Sequence, residues 1–186
     1  MADRQLTQFE HILLGLISQA PSSGYDLKRI FAVTPMGVYQ PSSGALYPAL
    51  RRLELKGLVQ AQADQNGNSA RQRRVYELTQ TGQAAHLSWL RTPIEPATVA
   101  RDLGLHLMRF VMMEHVFPRE DVLTFLQSLA DALAVFTAGL EQYAAAAGLD
   151  NTHARLALDH GLAVHRASLQ WAERTLAALS ATPPPP

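Results

Sequence analysis

The 186-residue sequence contains no cysteine, which excludes disulfide bonds, thiolate zinc sites and a cysteine nucleophile. No apolar run approaches the roughly 18 residues that a membrane span requires. Residues 1–5 lack the basic-then-apolar pattern of a secretory signal. We therefore expect a cytoplasmic protein with no membrane partner.

Signatures of enzymes and metalloproteins are also missing. The sequence has no glycine-rich loop that could cradle phosphates, no nucleophile–base pair and no paired carboxylates suited to a cleft. None of its seven histidines has the i, i+4 spacing or the glutamate partner of a helical zinc motif. We expect no enzymatic activity, no cofactor and no metal site.

The net charge of zero hides an asymmetry between the two halves. Residues 1–90 hold nine Lys and Arg against six Asp and Glu, whereas residues 91–186 hold seven against ten. The excess is concentrated in residues 40–75, with six basic residues and two acidic ones. A basic first half suggests a module that faces a polyanion, joined to a second part with another task. The hydrophobic content of 47% is enough for a sizeable core.

Apolar residues at helical spacing predict three helices in the first half, at about residues 6–19, 24–32 and 43–56. Ser22 or Ser23 can cap the second helix.

The third helix carries a leucine stripe on one face. Ser43, Tyr47 and Arg51, spaced by four, share a different face. Pro48 lies beyond the first turn, where proline removes a backbone hydrogen bond. It therefore predicts a local kink or a later helix start.

Two strand-like segments follow, at residues 58–63 and 74–78, each with alternating side chains. The polar segment 64–72 between them contains Asn66-Gly67, a pair suited to a hairpin tip. Thr79 is placed to cap a helix at about 80–90. The order of three helices, strand, turn and strand predicts a winged helix-turn-helix domain.

The second half is rich in alanine and leucine and predicts helices at about residues 101–116, 119–147 and 151–179. The fold class is therefore mainly α with a small β-hairpin wing. We expect a winged helix-turn-helix DNA-binding domain at 1–90, a linker at 91–99, an all-helical dimerisation domain at 100–180 and a disordered proline tail at 181–186.

Recognition of a DNA duplex sets requirements that the first half meets. A helix in the major groove needs an apolar back, and small or hydrogen-bonding residues where it approaches phosphates and base edges. A cationic hairpin can add contacts to the backbone. Packing, or a solvated helix face, stays open as the alternative for several of these side chains. The candidate DNA-binding residues are Tyr25, Lys28, Ser42, Ser43, Gly44, Tyr47, Arg51, Arg71, Arg73 and Arg74.

Four stretches, at residues 11–17, 23–27, 42–59 and 73–82, resemble the PadR-like transcriptional regulators. They occur in the order and at the intervals of that family, in which a Leu-Tyr-Pro-Ala-Leu run like the one around Pro48 is typical of the recognition helix. The resemblance implies binding to operator DNA through the winged helix and a homodimer formed by the C-terminal helices. It also implies repression as the usual behaviour, with a small-molecule effector in some members.

The helix predicted at residues 101–116 has apolar side chains on more than one face, and such a helix needs packing partners on several sides. This distribution indicates a dimer independently of the resemblance. A symmetric dimer would cover these side chains and place two reading heads on a palindromic operator. The residues concerned are Leu103, Leu105, Leu107, Phe110 and Val111.

A soft apolar cluster and two tryptophans suggest a pocket for a small aromatic or hydrophobic effector, with packing in a core or an interface as the alternative. The candidate pocket residues are Met108, Phe110, Met112, Trp89 and Trp171. We favour a sequence-specific DNA-binding transcriptional regulator, a ligand-responsive repressor that acts as a homodimer. The competing hypothesis is a helical module that binds a small molecule or a protein and has no DNA function.

Overall fold

The computed structural model describes residues 5–33, 43–63, 74–114, 116–147 and 151–181. The chain forms two compact units that divide between Trp89 and Leu90. The polar turn predicted at 64–72 and, apart from Ala181, the proline tail predicted at 181–186 lie outside the described residues.

The first unit has the predicted order of elements, with one addition. The elements are α1 (Gln8–Gln19), β1 (Ser22–Ser23), α2 (Gly24–Val33), α3 (Ser43–Leu55), β2 (Val59–Ala63), β3 (Arg74–Leu78) and α4 (Gln80–Leu90). This is a helical domain with a small antiparallel sheet, so the predicted winged-helix fold class is confirmed.

Side chains cap three of these helices. Thr7 and Glu10 form a reciprocal capping box at the start of α1. The Ser23 hydroxyl accepts a hydrogen bond from the Asp26 amide at 3.3 Å, which selects Ser23 over Ser22 as the cap of α2. The Thr79 hydroxyl accepts from the Gly82 amide at 3.0 Å and donates to the Gly57 carbonyl at 2.6 Å, so the predicted cap of α4 is confirmed.

The sheet contains one strand more than the sequence predicts. Its order is β1-β3-β2, and all pairs are antiparallel. β1 consists of two serines paired with Val75 and Tyr76 of β3. Two residues cannot show an alternating pattern, so the sequence marks them only as a helix-capping turn.

Pro48 does not delay the start of α3. The helix begins at Ser43 and continues through Pro48 to Leu55, so the predicted later start is wrong. Leu46, Leu50 and Leu53 are fully buried on its inner face. The burial of these side chains stabilises the helix and offsets the backbone hydrogen bond that Pro48 cannot donate. Pro48 itself lies on the exposed side.

The second unit contains the three predicted helices, α5 (Leu103–Met112), α6 (Arg119–Ala146) and α7 (Thr152–Ala181). α5 is shorter than predicted at both ends, because turns occupy residues 101–102 and 113–114. α6 and α7 pack along each other, and Leu126, Leu129 and Leu133 of α6 are fully buried.

α6 is long and apolar enough, by length and composition, to cross a membrane. This differs from the prediction that no stretch approaches that length. Alanine, leucine and valine dominate the helix even though polar residues interrupt every short apolar run. The buried core helix of a soluble protein passes the same test, so the feature is weak as a sign of a membrane.

The segment predicted as a linker is attached to the second unit. Residues 92–95 form no regular element, yet Ile94 is buried. The buried Arg109 of α5 donates hydrogen bonds to the carbonyls of Leu90, at 2.8 Å, and of Thr92. The guanidinium therefore ties this segment to α5. The linker predicted at 91–99 stays a prediction.

Candidate nucleic-acid interface

The start of α2, the outer face of α3 and the wing strand β3 line one groove of about 650 Å³ on the first unit. Four candidate DNA-binding residues meet there, namely Tyr25, Tyr47, Arg51 and Arg74. They come from three separate segments of the sequence, with Tyr47 and Arg51 both on α3, and the fold of the unit brings these segments together.

The helical repeat of α3 separates its core face from its groove face. The leucines spaced at three and four residues point inward and are fully buried. Tyr47 and Arg51, four residues apart, are both exposed on the groove, and Tyr47 has 55% of its surface in contact with solvent. A tyrosine that packed only as core would be buried, so exposure favours an interaction surface.

The Tyr47 ring lies against Gly24. A Cβ atom added at Gly24 would stand 2.7 Å from the Cε1 atom of Tyr47, so only glycine leaves room for this contact. Tyr25 follows at once and is itself 57% exposed. The first turn of α2 therefore sets the position of one tyrosine and presents another.

Arg74 is not a freely solvated arginine. Its Nη2 donates to Oε1 of Glu54 at 2.6 Å, and its Cζ atom lies 5.7 Å from the centre of the Tyr76 ring. Tyr76 is buried, and burial raises the pKa of its phenol, with Arg74 opposing this shift. Glu54, Leu55 and Tyr76 line the groove but were not among the candidates predicted from the sequence. The three-residue spacing of Arg51 and Glu54 is the signal that could have found the glutamate.

The neighbouring arginine, Arg52, has a structural partner instead. Its Nε lies 2.6 Å from Oε1 of the buried Glu10 in α1. Burial opposes ionisation of Glu10, but hydrogen bonds from the Thr7 amide and from Arg52 lower the pKa of this carboxyl below its ordinary value. Arg52 is therefore held by α1, whereas its neighbour Arg51 lies on the groove.

The remaining candidates are less defined. Lys28 and Gly44 are exposed, and neither lines the groove. Ser42, Arg71 and Arg73 lie outside the described residues, as does the side chain of Ser43.

The candidate effector residues are distributed over both units. Trp89 belongs to the first unit, where its ring stacks on His11 with centroids 4.9 Å apart. His86 is buried beside it, and burial followed by the charge of His11 lowers the pKa of His86 to about 4. Neither ring nitrogen of His86 has a hydrogen-bond partner.

In the second unit, Phe110 and Trp171 make an edge-to-face contact with centroids 5.6 Å apart, and Met108 and Met112 are buried. A cavity of about 340 Å³ in this unit is lined by residues 90–94 together with Met113, Phe125 and parts of α6. None of the five candidate effector residues lines it. Among the described residues, no cluster of His, Asp or Glu could hold a metal ion.

A helical domain with this strand order, and with an exposed polar face on its third helix, belongs to the winged helix-turn-helix class of DNA-binding domains. Residues 13–87 match the model of the transcriptional regulator PadR-like family. The first unit of the chain is similar to this family, and the predicted resemblance is confirmed. The family consists of transcriptional regulators, in agreement with the prediction that the chain is not an enzyme.

Three solved structures similar to this chain are 20–24% identical to it. PadR of Bacillus subtilis in complex with operator DNA is 20% identical, with 93% of this chain and 99% of that chain covered and a TM-score of 0.45. The PadR-like regulator BC1756 of Bacillus cereus is 23% identical, with coverages of 93% and 98% and a TM-score of 0.40. The virulence activator AphA of Vibrio cholerae is 24% identical, with coverages of 93% and 98% and a TM-score of 0.39. A search of curated protein sequences found no match.

Proposed function

We propose that this protein is a repressor that binds a palindromic operator as a homodimer in the cytoplasm. The observation that carries the proposal is the groove in which Tyr25, Tyr47, Arg51 and Arg74 meet on the winged helix. Cations and hydroxyl-bearing aromatics on a rigid helix and an adjacent strand suit phosphates and base edges.

Within this proposal, α3 enters the major groove. Tyr47 and Arg51 reach base edges in the major groove or contact the rim of the groove. Ser42, Ser43 and Gly44 assist them. Tyr25 and Lys28 approach the backbone from α2. Arg71, Arg73 and Arg74 bind flanking phosphates from the wing.

The second unit supports the homodimer through its exposed apolar side chains. Leu107 and Val111 of α5, spaced by four, are exposed, and so is Val135 of α6. Only Leu162 and Ala172 are buried among the 30 residues of α7. Isolated apolar side chains are ordinary on a surface, but three helices that each leave such residues uncovered favour an interface.

The test begins with a duplex that the wild-type protein selects from a randomised pool. Arg51→Ala combined with Arg73→Ala should weaken binding to this duplex by at least about tenfold, because two cations are lost from the binding surface. If about eight phosphates are neutralised by the dimer, log K should fall against log salt with a slope near −7. The measurement is fluorescence anisotropy across a salt series.

The matched control is Arg155→Ala combined with Arg174→Ala, two exposed arginines of α7, which should leave affinity unchanged. Undiminished binding by the Arg51 and Arg73 variant would refute the assignment. Selection of no duplex would favour the competing hypothesis of a binding module without DNA function.

We further propose that a small aromatic or hydrophobic effector releases the DNA. The support is the buried Met108 and Met112 and the half-buried, contacting rings of Phe110 and Trp171 in the second unit, with the half-buried Trp89 in the first unit. A ligand can shift binding only by its different affinity for the two states. One solved structure of Bacillus subtilis PadR contains p-coumaric acid, so this acid is a suitable first probe in the same anisotropy assay.

A further inference from the structure

The groove that we propose faces DNA contains one acidic side chain. Glu54 lines it together with Arg51 and Arg74. A carboxylate on such a surface repels phosphates, so by charge alone Glu54 opposes the proposed function. If the groove binds DNA, this repulsion must be offset by a favourable effect of Glu54 on binding.

The geometry indicates what that contribution is. Glu54 is near the end of α3, and its Oε1 accepts a hydrogen bond of 2.6 Å from Nη2 of Arg74 on the wing strand. The glutamate side chain is 29% exposed, whereas that of the arginine is 58% exposed. The carboxylate is thus the inner, better-anchored member of the pair, and the guanidinium is the outer one.

A second contact restrains the guanidinium. The Arg74 Cζ atom lies 5.7 Å from the centroid of the buried Tyr76 ring, two residues along the same strand. Residues two apart on a strand share a face, so Arg74 lies on the side of β3 that carries Tyr76. The ring and the carboxylate together limit the orientations of the arginine head group.

The pair leaves donors available. A guanidinium carries five N–H groups in a planar fork, and the bond to Glu54 uses Nη2. The other groups can still donate to a phosphate oxygen or a base edge. An exposed ion pair adds little to stability, so the fold does not depend on this contact.

We propose that Glu54 is a positioning residue for DNA recognition, which orients Arg74 of the wing relative to α3 so that its remaining N–H groups meet the duplex in a fixed direction. This inference rests on the proposed function. It assigns to an acidic residue a favourable effect on binding, and it makes helix and wing a single reading surface.

The experiment compares two glutamates of the same unit. Glu54→Gln should weaken binding to the selected duplex by about tenfold, because a neutral amide oxygen holds the Arg74 guanidinium less firmly than the carboxylate does, so more of its side-chain freedom must be lost on binding. Glu77→Gln removes the same charge from β3, where Glu77 accepts a 2.6 Å hydrogen bond from Gln60 instead. This control should bind equally well or slightly more tightly. Circular dichroism and thermal midpoints establish that both variants are folded.

A double-mutant cycle tests whether Glu54 acts through Arg74. In the Arg74→Ala background, Glu54→Gln should no longer weaken binding and should strengthen it, because only the repulsion of the carboxylate remains. Arg74→Lys keeps the charge but lacks the planar fork. It should lose preference for the selected duplex over a scrambled duplex of the same length, as Arg74→Ala does.

The outcomes are distinguishable from failure of the proposed function. If the Arg51 and Arg73 variant loses binding while Glu54→Gln and Glu77→Gln strengthen it equally, Glu54 is only an unfavourable charge and the inference is overturned. If Glu54→Gln weakens binding equally with and without Arg74, the glutamate does not act through the arginine, which also overturns it. If the wild-type protein selects no duplex, the proposed function fails and this inference fails with it.

Discussion

The two units of this protein each contain a buried core, but they differ in the apolar side chains that their helices leave exposed. In the first, helices of 10 to 13 residues and a three-stranded sheet enclose a core in which Leu13, Leu14, Leu50 and Leu53 have no exposed surface. In the second, α7 spans 30 residues and buries only Leu162 and Ala172.

This difference matches a division of tasks. A surface that reads a rigid duplex must hold its side chains in place, and a complete core provides that rigidity. The second unit exposes Leu107, Val111 and Val135, the side chains that we propose bind a second copy of the chain. If the units differ in this way, substitutions in them should differ in their effects on folding and on association.

The first prediction compares two helical glycines, one in each unit. A Cβ at Gly82 would stand 1.8 Å from the Leu58 carbonyl oxygen, whereas a Cβ at Gly139 would meet nothing within 4 Å. Gly82→Ala should therefore reduce the free energy of unfolding of the first unit by several kcal/mol, about 3 or more, through displaced backbone. Gly139→Ala should stabilise α6 by about 0.5–1 kcal/mol through helix propensity. Chemical denaturation measures both, and equal small effects would contradict the close approach of α4 to Leu58.

The second prediction concerns association. Val111 of α5 and Val33 of α2 are both largely exposed valines, one in each unit. Val111→Glu should weaken homodimerisation by more than about tenfold, because a charge would enter an apolar interface. Val33→Glu should leave the dimer intact. Sedimentation velocity across a concentration series measures the dissociation. A wild-type protein that is monomeric throughout the series would contradict the proposed homodimer.

The third prediction concerns pH, for which the units should behave alike. Burial lowers the pKa of His86 in the first unit to about 4, and burial followed by the charge of Arg109 lowers the pKa of His106 in the second unit to about 4. Unfolded histidine takes up a proton near pH 6.5, before the folded chain does. Stability should therefore fall as the pH falls from about 6.5 to 4, with a slope of up to about 1.4 kcal/mol per pH unit for each histidine.

Replacement of one histidine tests this sign. His86→Leu removes ring nitrogens that have no hydrogen-bond partner, so the variant should fold at pH 7. Its denaturation midpoint should depend less on pH between 6.5 and 4 than that of the wild-type protein. A pH dependence that steepens would show that His86 is protonated in the folded state.

Much of the secondary structure could be predicted from the sequence. The leucine stripe of α3 and the strand β3 follow from local chemistry, and the Thr79 cap does so as well. The second unit was predictable as helices but less so in extent, because the ends of α5 are set by turns and not by a cap side chain.

The candidate site was predictable only in part. The spacing of Tyr47 and Arg51 placed them on one face of a helix, and the structure shows both on the groove. The partners of the arginines were not predictable, because Arg74 meets Glu54 20 residues away and Arg52 meets Glu10 42 residues away. No local pattern carries information about such pairs.

The sequence by itself determined the helices, the wing strands, the resemblance to the PadR-like family and the basic character of the first half, because each depends on residues close together in the chain. Only the tertiary structure decided that Ser22 and Ser23 form a strand, that Arg109 holds the residues before α5, and that Glu54 holds Arg74. Those features arise where distant segments meet. Burial and hydrogen-bond geometry there depend on three-dimensional distance, which a one-dimensional pattern does not contain.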